Sequence, residues 1–208
     1  MQPYRGRDER RNHQSGRPKE RDADSSGVRS PLSVPLSHCP AASQTNHISG
    51  DRSLREQAAI SLASAATLLA TKVFGDLADL SILLVGSVQI AELAAKHLQA
   101  ARAAPVRVTD RSPKCARELG ARLGAEVTDF GGVYISLSSA DVVVCSSASS
   151  KYIFTKENVA PMLRHRRFRP LLMVDFALPG DIAPNLNELE NVFTYDLYDI
   201  QRMVARAA

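Results

Sequence analysis

The chain has 208 residues, 44% of them hydrophobic, and 26 Lys and Arg against 22 Asp and Glu give a formal net charge of +4. That length suits one medium domain plus a tail, with enough apolar residues for a sizeable core. No run of about eighteen apolar residues is free of charge, so no membrane span is expected, and the amino terminus lacks the apolar core of a secretory signal.

Residues 1 to about 50 are rich in Arg, Ser, Pro, Gly and Asp, without apolar periodicity. They read as a disordered basic tail, either a solvated segment or a weak electrostatic contact for nucleic acid. The acids Asp8, Glu9, Glu20, Asp22 and Asp24 argue against an organelle transit peptide. The folded domain is expected over 51–208. SLRE, at 53–56, has the form of a capping box, so a leading helix is expected over about 54–74, closed by Gly75. Strands follow at about 81–86 (SILLVG), 105–110 (PVRVTD), 141–145 (DVVVC), 170–175 (PLLMVD) and 192–195 (VFTY), with a weaker one near 125–128. Helices fall between them at about 89–102, 113–123, 155–166 and 197–206, the second opened by Ser112 as N-cap and Pro113 at the first turn. Continuous apolar strands alternating with helices predict a doubly wound α/β domain on a mostly parallel sheet, Rossmann-like, with ligands outside the carboxyl ends of the strands.

The residues just past each strand are therefore the informative ones. Gly86-Ser87-Val88-Gln89-Ile90-Ala91 follows the first strand. A G-x-G-x-x-G turn bends at its first glycine, lets a pyrophosphate approach at its second and packs helix on strand at its third. Gly86 and the small Ala91 meet the first and third needs; Val88 fails the second. The helix amino terminus still offers N–H donors, so anion binding is expected to be weakened, or the turn to be purely structural. Asp110-Arg111-Ser112 follows the second strand. The acid suits a ribose 2′-OH, as in NAD(H) sites, and the arginine a 2′-phosphate, as in NADP(H) sites, so both cofactors stay open. Ser146, Ser147 and Ala148 after the DVVVC strand allow close approach of a cofactor or serve as an ordinary loop. Asp175, Pro179 and Asp181 form a proline-fixed loop that borders a substrate or is a rigid turn, with Asp181 capping a short helix.

Cys39, Cys115 and Cys145 are far apart, and the 5 histidines are scattered. That gives no disulfide framework and no metal-ligand spacing, so no metal is expected and a reducing cytoplasm suits the chain. Cys145 reads as a buried thiol, with no histidine near in sequence to activate it. The run RHRRFR at 164–169 reads as a solvated helix end or a phosphate contact for RNA.

These strings in this order resemble glutamyl-tRNA reductase, specifically its NADPH-binding middle domain. The resemblance runs from about Asp51 to Met203 and rests on LLVGSVQIAELAAKHL, VTDRS, ADVVVCSSAS, RPLLMVDFALPGDIAP and NVFTYDLYDIQ. It implies a role in tetrapyrrole (porphyrin) biosynthesis, in which the glutamyl group on transfer RNA is reduced with NADPH. By position it assigns Gly86 to Ala91 to the phosphate turn, Asp110-Arg111-Ser112 to the adenosine end, Ser146-Ser147-Ala148 to the nicotinamide side, and Asp175, Pro179 and Asp181 to the loop facing the catalytic domain. The chain departs from the family at Val88, at Gln89, at Asp110, which repels a 2′-phosphate at close range, and at Gly180, which replaces an arginine. LSHC, at 36–39, is similar to the family's L-S-T-C-N-R motif, but Pro40-Ala41-Ala42 follow it, and too little chain surrounds Cys39 to build a catalytic pocket.

The resemblance therefore implies a stand-alone NADP(H)-binding-type domain without the family's catalytic and dimerisation domains, inactive by itself and weakened in cofactor binding. One alternative is the NADPH-supplying piece of a split reductase, partnered by a separately encoded catalytic domain or a full-length reductase and meeting transfer RNA only through it. Another is a non-catalytic interaction or regulatory protein.

Overall fold

A computed structural model describes residues 49–147 and 149–207. The tail expected over 1–50 therefore lies outside the described residues, save for its last two, which open the first helix.

That helix, α1, runs Ser49–Phe74. It starts ahead of the SLRE string, so Ser53 stands inside it rather than at its cap. It ends where expected, at Gly75, whose φ of 77° is left-handed. By length and composition its segment Glu56–Phe74 is long and apolar enough to cross a membrane. In the fold, Ala63, Ala65, Ala66, Leu69 and Ala70 of that segment pack into the core, while Ile60 and Leu68 face solvent.

The strands are β1 (Ile82–Val85), β2 (Val106–Thr109), β3 (Glu126–Val127), β4 (Val142–Cys145), β5 (Leu171–Asp175) and β6 (Val192–Tyr195). They form one sheet in the order β3-β2-β1-β4-β5-β6, and every pairing is parallel. The helices between them are α2 (Gln89–Ala100), α3 (Pro113–Leu123), α4 (Val133–Ser139), α5 (Lys156–His165) and α6 (Leu197–Ala207). The helix α4 has no counterpart in the sequence reading. A 3₁₀ turn at Phe130–Gly132 leads into it, opened by Asp129, whose side chain accepts from Gly131 N–H.

Alternate strand residues feed two separate cores. Ile82, Leu84, Val106, Val108, Val142, Val144, Leu172 and Val174 meet residues of α1, α2, α3 and α6. Leu83, Val85, Val143, Cys145, Leu171 and Met173 meet residues of α4 and α5. All four residues of β1 and β4 and all five of β5 are buried. That is why these strands read as unbroken apolar runs.

The run RHRRFR departs from its solvated reading at one residue. Arg166 is 1% exposed. Its guanidinium donates to the carbonyls of Leu137 (3.1 Å), Ala140 and Pro170 (2.8 Å) and lies 3.5 Å from Asp141. It thus satisfies the carbonyls of Ala140 and Pro170 and shares that of Leu137, which also accepts from Ala140 N–H. The neighbouring Arg164, His165, Arg167 and Arg169 are exposed, as expected.

Candidate functional site

The register sets the carboxyl ends of the central strands in one row. Val85 lies opposite both Thr109 and Cys145, and Cys145 opposite Asp175. Chain order reverses between β1 and β4, which both cross over from there, so the crevice of the fold opens between the turns that follow these two strands.

The first turn begins at Gly86, with φ 95°. A Cβ there would lie 2.6 Å from Ser147 N and 2.7 Å from Ser146 C, both backbone atoms. Glycine is thus required by the neighbouring loop as well as by the bend. Val88 is the N-cap of α2 in extended conformation, with no side-chain cap bond. Its φ of −72° needs no glycine, and its side chain is 40% exposed. Its N–H points at Ser146 Oγ, 3.4 Å away. Ala91 and Glu92 donate back to Val88 O. The N–H groups of Gln89 and Ile90 remain as the first-turn donors that no helical carbonyl can reach. Ala91 is fully buried, as helix-on-strand packing requires.

At the end of β2, Asp110 Oδ1 accepts from Ser112 N–H at 2.7 Å, closing a turn. Ser112 caps α3 by accepting from Cys115 N–H, with Pro113 in the first turn, as expected. Arg111 turns back across the sheet. Its Nη2 donates to Ser149 Oγ at 2.5 Å, and its guanidinium carbon stands 5.4 Å from the centre of the Phe130 ring. Thr109 Oγ1, buried at the same strand end, has no hydrogen-bond partner among the described residues.

Past β4, Ser146 and Ser149 are buried; Ala148 and Cys39 lie outside the described residues. The loop is held by Asp181, itself fully buried. Its carboxylate accepts from Ser147 N–H (2.7 Å), Ser147 Oγ–H (2.6 Å) and Ser149 N–H (3.1 Å). Asp175 is 3% exposed and accepts from the N–H groups of Ala177, Asp181 and Ile182 at 2.7–2.9 Å. Burial, together with the Asp181 charge, pushes the Asp175 carboxyl up to about 6 against those backbone bonds. The two carboxylates thus build the rigid turn of the sequence reading. Asp181 does not cap the helical turn after it, whose N-cap is Ala183. Pro179 follows a cis peptide bond and is exposed. With Ser149, Ser150, Lys151, Tyr152 and Gly180 it lines a cavity of about 370 Å³ beside the crevice. A larger open groove of about 490 Å³ follows edge strand β6 at Val192, Thr194 and Asp199, away from these turns.

Cys145 is buried, and burial, then the charges of Asp175 and Asp181, push its thiol well above the usual range. It is no nucleophile there. Among the described residues no group of three or more His, Cys, Asp or Glu could hold a metal ion. Phe130 is the site residue missed in the sequence, and the pairing of Ser149 with Arg111 was missed too. Ser149 stood in the quoted string CSSAS, whereas nothing in the order of residues pairs Phe130 with Arg111.

The family model of shikimate / quinate 5-dehydrogenase matches residues 68–203. The chain is 46% identical over 149 residues to the glutamyl-tRNA reductase of Myxococcus xanthus (strain DK1622), covering 72% of this chain and 34% of that protein. It is 40% identical over 147 residues to that of Geobacillus kaustophilus (strain HTA426), covering 71% and 32%. The chain therefore spans about a third of the length of the curated relatives it matches. Among solved structures, glutamyl-tRNA reductase from Methanopyrus kandleri superposes with a TM-score of 0.67 at 31% identity, over 76% of this chain and 41% of that one. The nucleotide binding domain of glutamyl-tRNA reductase from Thermoplasma volcanium shares the fold, with a TM-score of 0.55 at 19% identity, over 70% and 92%. The relatives bear out the resemblance read from the strings at the strand ends.

Proposed function

This chain belongs to the shikimate / quinate 5-dehydrogenase family, and from that premise we propose that it is a dinucleotide-binding domain of the glutamyl-tRNA reductase kind, taking NADP(H) weakly between the β1 and β4 turns. The observation that carries the reading is the arrangement at the end of β2. Asp110 commits Oδ1 to the Ser112 N–H, whereas the Arg111 guanidinium stands on the Phe130 face and on Ser149 Oγ. The guanidinium is the cation offered to a 2′-phosphate. A bare 2′-OH would have the remaining oxygen of Asp110 as acceptor but would gain nothing from the Arg111 cation; on our reading that cation outweighs the Asp110 charge, and NAD(H) is the weaker ligand.

The donor set fits the group in part. Gln89 and Ile90 N–H groups face the pyrophosphate position, and Arg111 and Ser112 the adenosine end. The exposed Val88 side chain stands where the phosphates need a bare backbone, and it holds them off the α2 amino terminus. When bound, the cofactor supplies a hydride. The chain's own residues orient it: Asp181 fixes the Ser147–Ser149 loop, and Asp175 fixes the loop that carries Asp181.

No described residue offers an activated nucleophile, since Cys145 is buried with a raised pKa. The acyl group of a reductase reaction therefore belongs on a sulfur elsewhere. A catalytic domain that carries this sulfur is the partner we propose, a separately encoded one or that of a full-length reductase, with transfer RNA contacted through it. The buried thiol equally favours a second reading, a binding or regulatory module without catalysis.

Calorimetric titration of the full chain with NADPH and NADH tests the proposal. NADPH is expected to bind more tightly than NADH, and Val88→Gly to tighten NADPH by about tenfold, the effect of ~1.4 kcal/mol. Equal NADPH affinity in the valine and glycine forms refutes the loop argument. No heat with either nucleotide, in either form, refutes the binding reading. Aldehyde formed from charged transfer RNA only when a cysteine-bearing partner is added separates the reductase reading from the regulatory one.

A further inference from the structure

Arg111 is held from two sides by residues that no motif assigned. Strands β2 and β4 flank β1, so their ends lie roughly 10 Å apart at ordinary sheet spacing. Arg111 leaves the end of β2 and reaches Ser149, past the end of β4, which takes its side chain over the β1 turn. Ser149 is itself fixed. It is 4% exposed, its N–H donates to Asp181 Oδ1 (3.1 Å), and its Oγ also accepts from Lys151 N–H (3.2 Å). Phe130 is carried on the 3₁₀ turn that Asp129 caps, and the Asp129 carboxylate is turned to Gly131 N–H at 2.8 Å, not to the guanidinium. Of the five guanidinium donors, the Ser149 bond uses one.

We propose that Ser149 and Phe130 are positioning residues that hold the Arg111 guanidinium ready for a phosphomonoester, and so set the preference for a 2′-phosphorylated dinucleotide over its unphosphorylated counterpart. The inference rests on the dinucleotide-binding reading above. A free arginine side chain gives up much rotamer freedom when it grips a phosphate. Here one face lies on a ring and one nitrogen on a buried hydroxyl, so that freedom is spent before the ligand arrives. Charge-assisted donors remain for the phosphate oxygens. The acceptor chain Arg111–Ser149–Asp181 also makes the loop after β5 the ultimate support of the adenosine-end cation.

The test is the ratio of NADH to NADPH dissociation constants, measured on the full chain by the fluorescence of the reduced nicotinamide. Ser149→Ala is expected to weaken NADPH about fivefold, the loss of one charge-assisted hydrogen bond at a partly exposed site, and to leave NADH within about twofold. Phe130→Leu is expected to act in the same sense by about threefold. Ser149→Thr, which keeps the hydroxyl, is expected to keep the ratio. A parallel loss of both nucleotides overturns the proposal, because a merely structural role moves them together. Tighter NADPH binding in Ser149→Ala overturns it too, since the Ser149 bond would then compete with the phosphate. A wild-type chain that binds neither nucleotide sinks the underlying reading and this inference with it. A wild-type preference for NADPH that both variants retain sinks this inference alone.

Discussion

Replacing Gly86 by alanine measures how tightly the crevice is built. Two separate costs meet at this position. The backbone has φ 95°, which an L side chain resists at about 1–3 kcal/mol. The new Cβ would also stand 2.6 Å from Ser147 N, 2.7 Å from Ser146 C and 2.9 Å from Ser146 O. None of these is the end of a flexible side chain. They belong to a loop that Asp181 holds by three hydrogen bonds, so they can yield only by breaking that support, at about 1–3 kcal/mol more. The expected loss is about 4 kcal/mol, a large part of the ~5–15 kcal/mol that holds a typical domain together. Gly75→Ala is the control. Gly75 has φ 77° but nothing within 4 Å of an added Cβ, so it should lose about 1–2 kcal/mol from backbone strain alone. Urea unfolding followed by circular dichroism reads both. With a slope of about 2 kcal/mol/M, the midpoint falls by about 2 M for Gly86→Ala and by less than about 1 M for Gly75→Ala. Equal losses at the two glycines, or less than about 1 kcal/mol at Gly86, would show that the turns after β1 and β4 are not in backbone contact.

Asp175→Asn probes the raised carboxyl. The ordinary value of 3.8 rises to about 6 in the fold, so the folded chain holds this proton more tightly than the unfolded one. The destabilisation from the buried charge is absent below about pH 4 and grows as pH rises to about 6. Above that it is complete, at up to about 3 kcal/mol. Unfolding free energies at pH 4 to 7 should show wild-type stability falling relative to the asparagine variant across that window, over a constant offset of about 1 kcal/mol for one lost backbone bond; parallel curves would refute the assignment. Arg166→Ala should lose about 3–5 kcal/mol, because it removes a buried cation and its hydrogen bonds to the carbonyls of Ala140 and Pro170. The exposed Arg164→Ala should stay within about 0.5 kcal/mol. Similar losses for the two in thermal unfolding would sink the account of Arg166.

The sequence carried the strands well because each is a short apolar run between punctuating residues, and burial on both faces removes the ambiguity of a half-polar strand. The ends of α3 were legible for the same local reason: Ser112 with Pro113 opens it, and Gly124, with φ 60°, closes it. The helix α4 was not legible. VYISLSS is short, β-branched and serine-rich, and it is helical because Val133 and Leu137, one turn apart, find a core. The start of α1 was misread because a good capping string can also sit inside a long helix. Arg166 had a usable signal that charge concealed. Val159, Leu163 and Arg166 follow helical spacing on one stripe, and the first two are core residues. A run of five basic residues hides which one points inward. At the site, the turn residues were legible one strand at a time. What joins them was not: Asp181 to Ser147 and Arg111 to Phe130 are contacts between segments that only the sheet order brings together.

The division of each strand between two cores also bears on how this domain can change over time. Because neighbours along a strand serve opposite sides, exchanging one aliphatic residue for another alters a single side and can be absorbed there. Losing one residue from the middle of Val142–Cys145 would instead send every residue beyond it to the wrong side, and both interiors would be mismatched at once. Descendants of this sequence should therefore drift freely in the identity of their strand residues, while gains and losses of chain length gather in the connections at the rim.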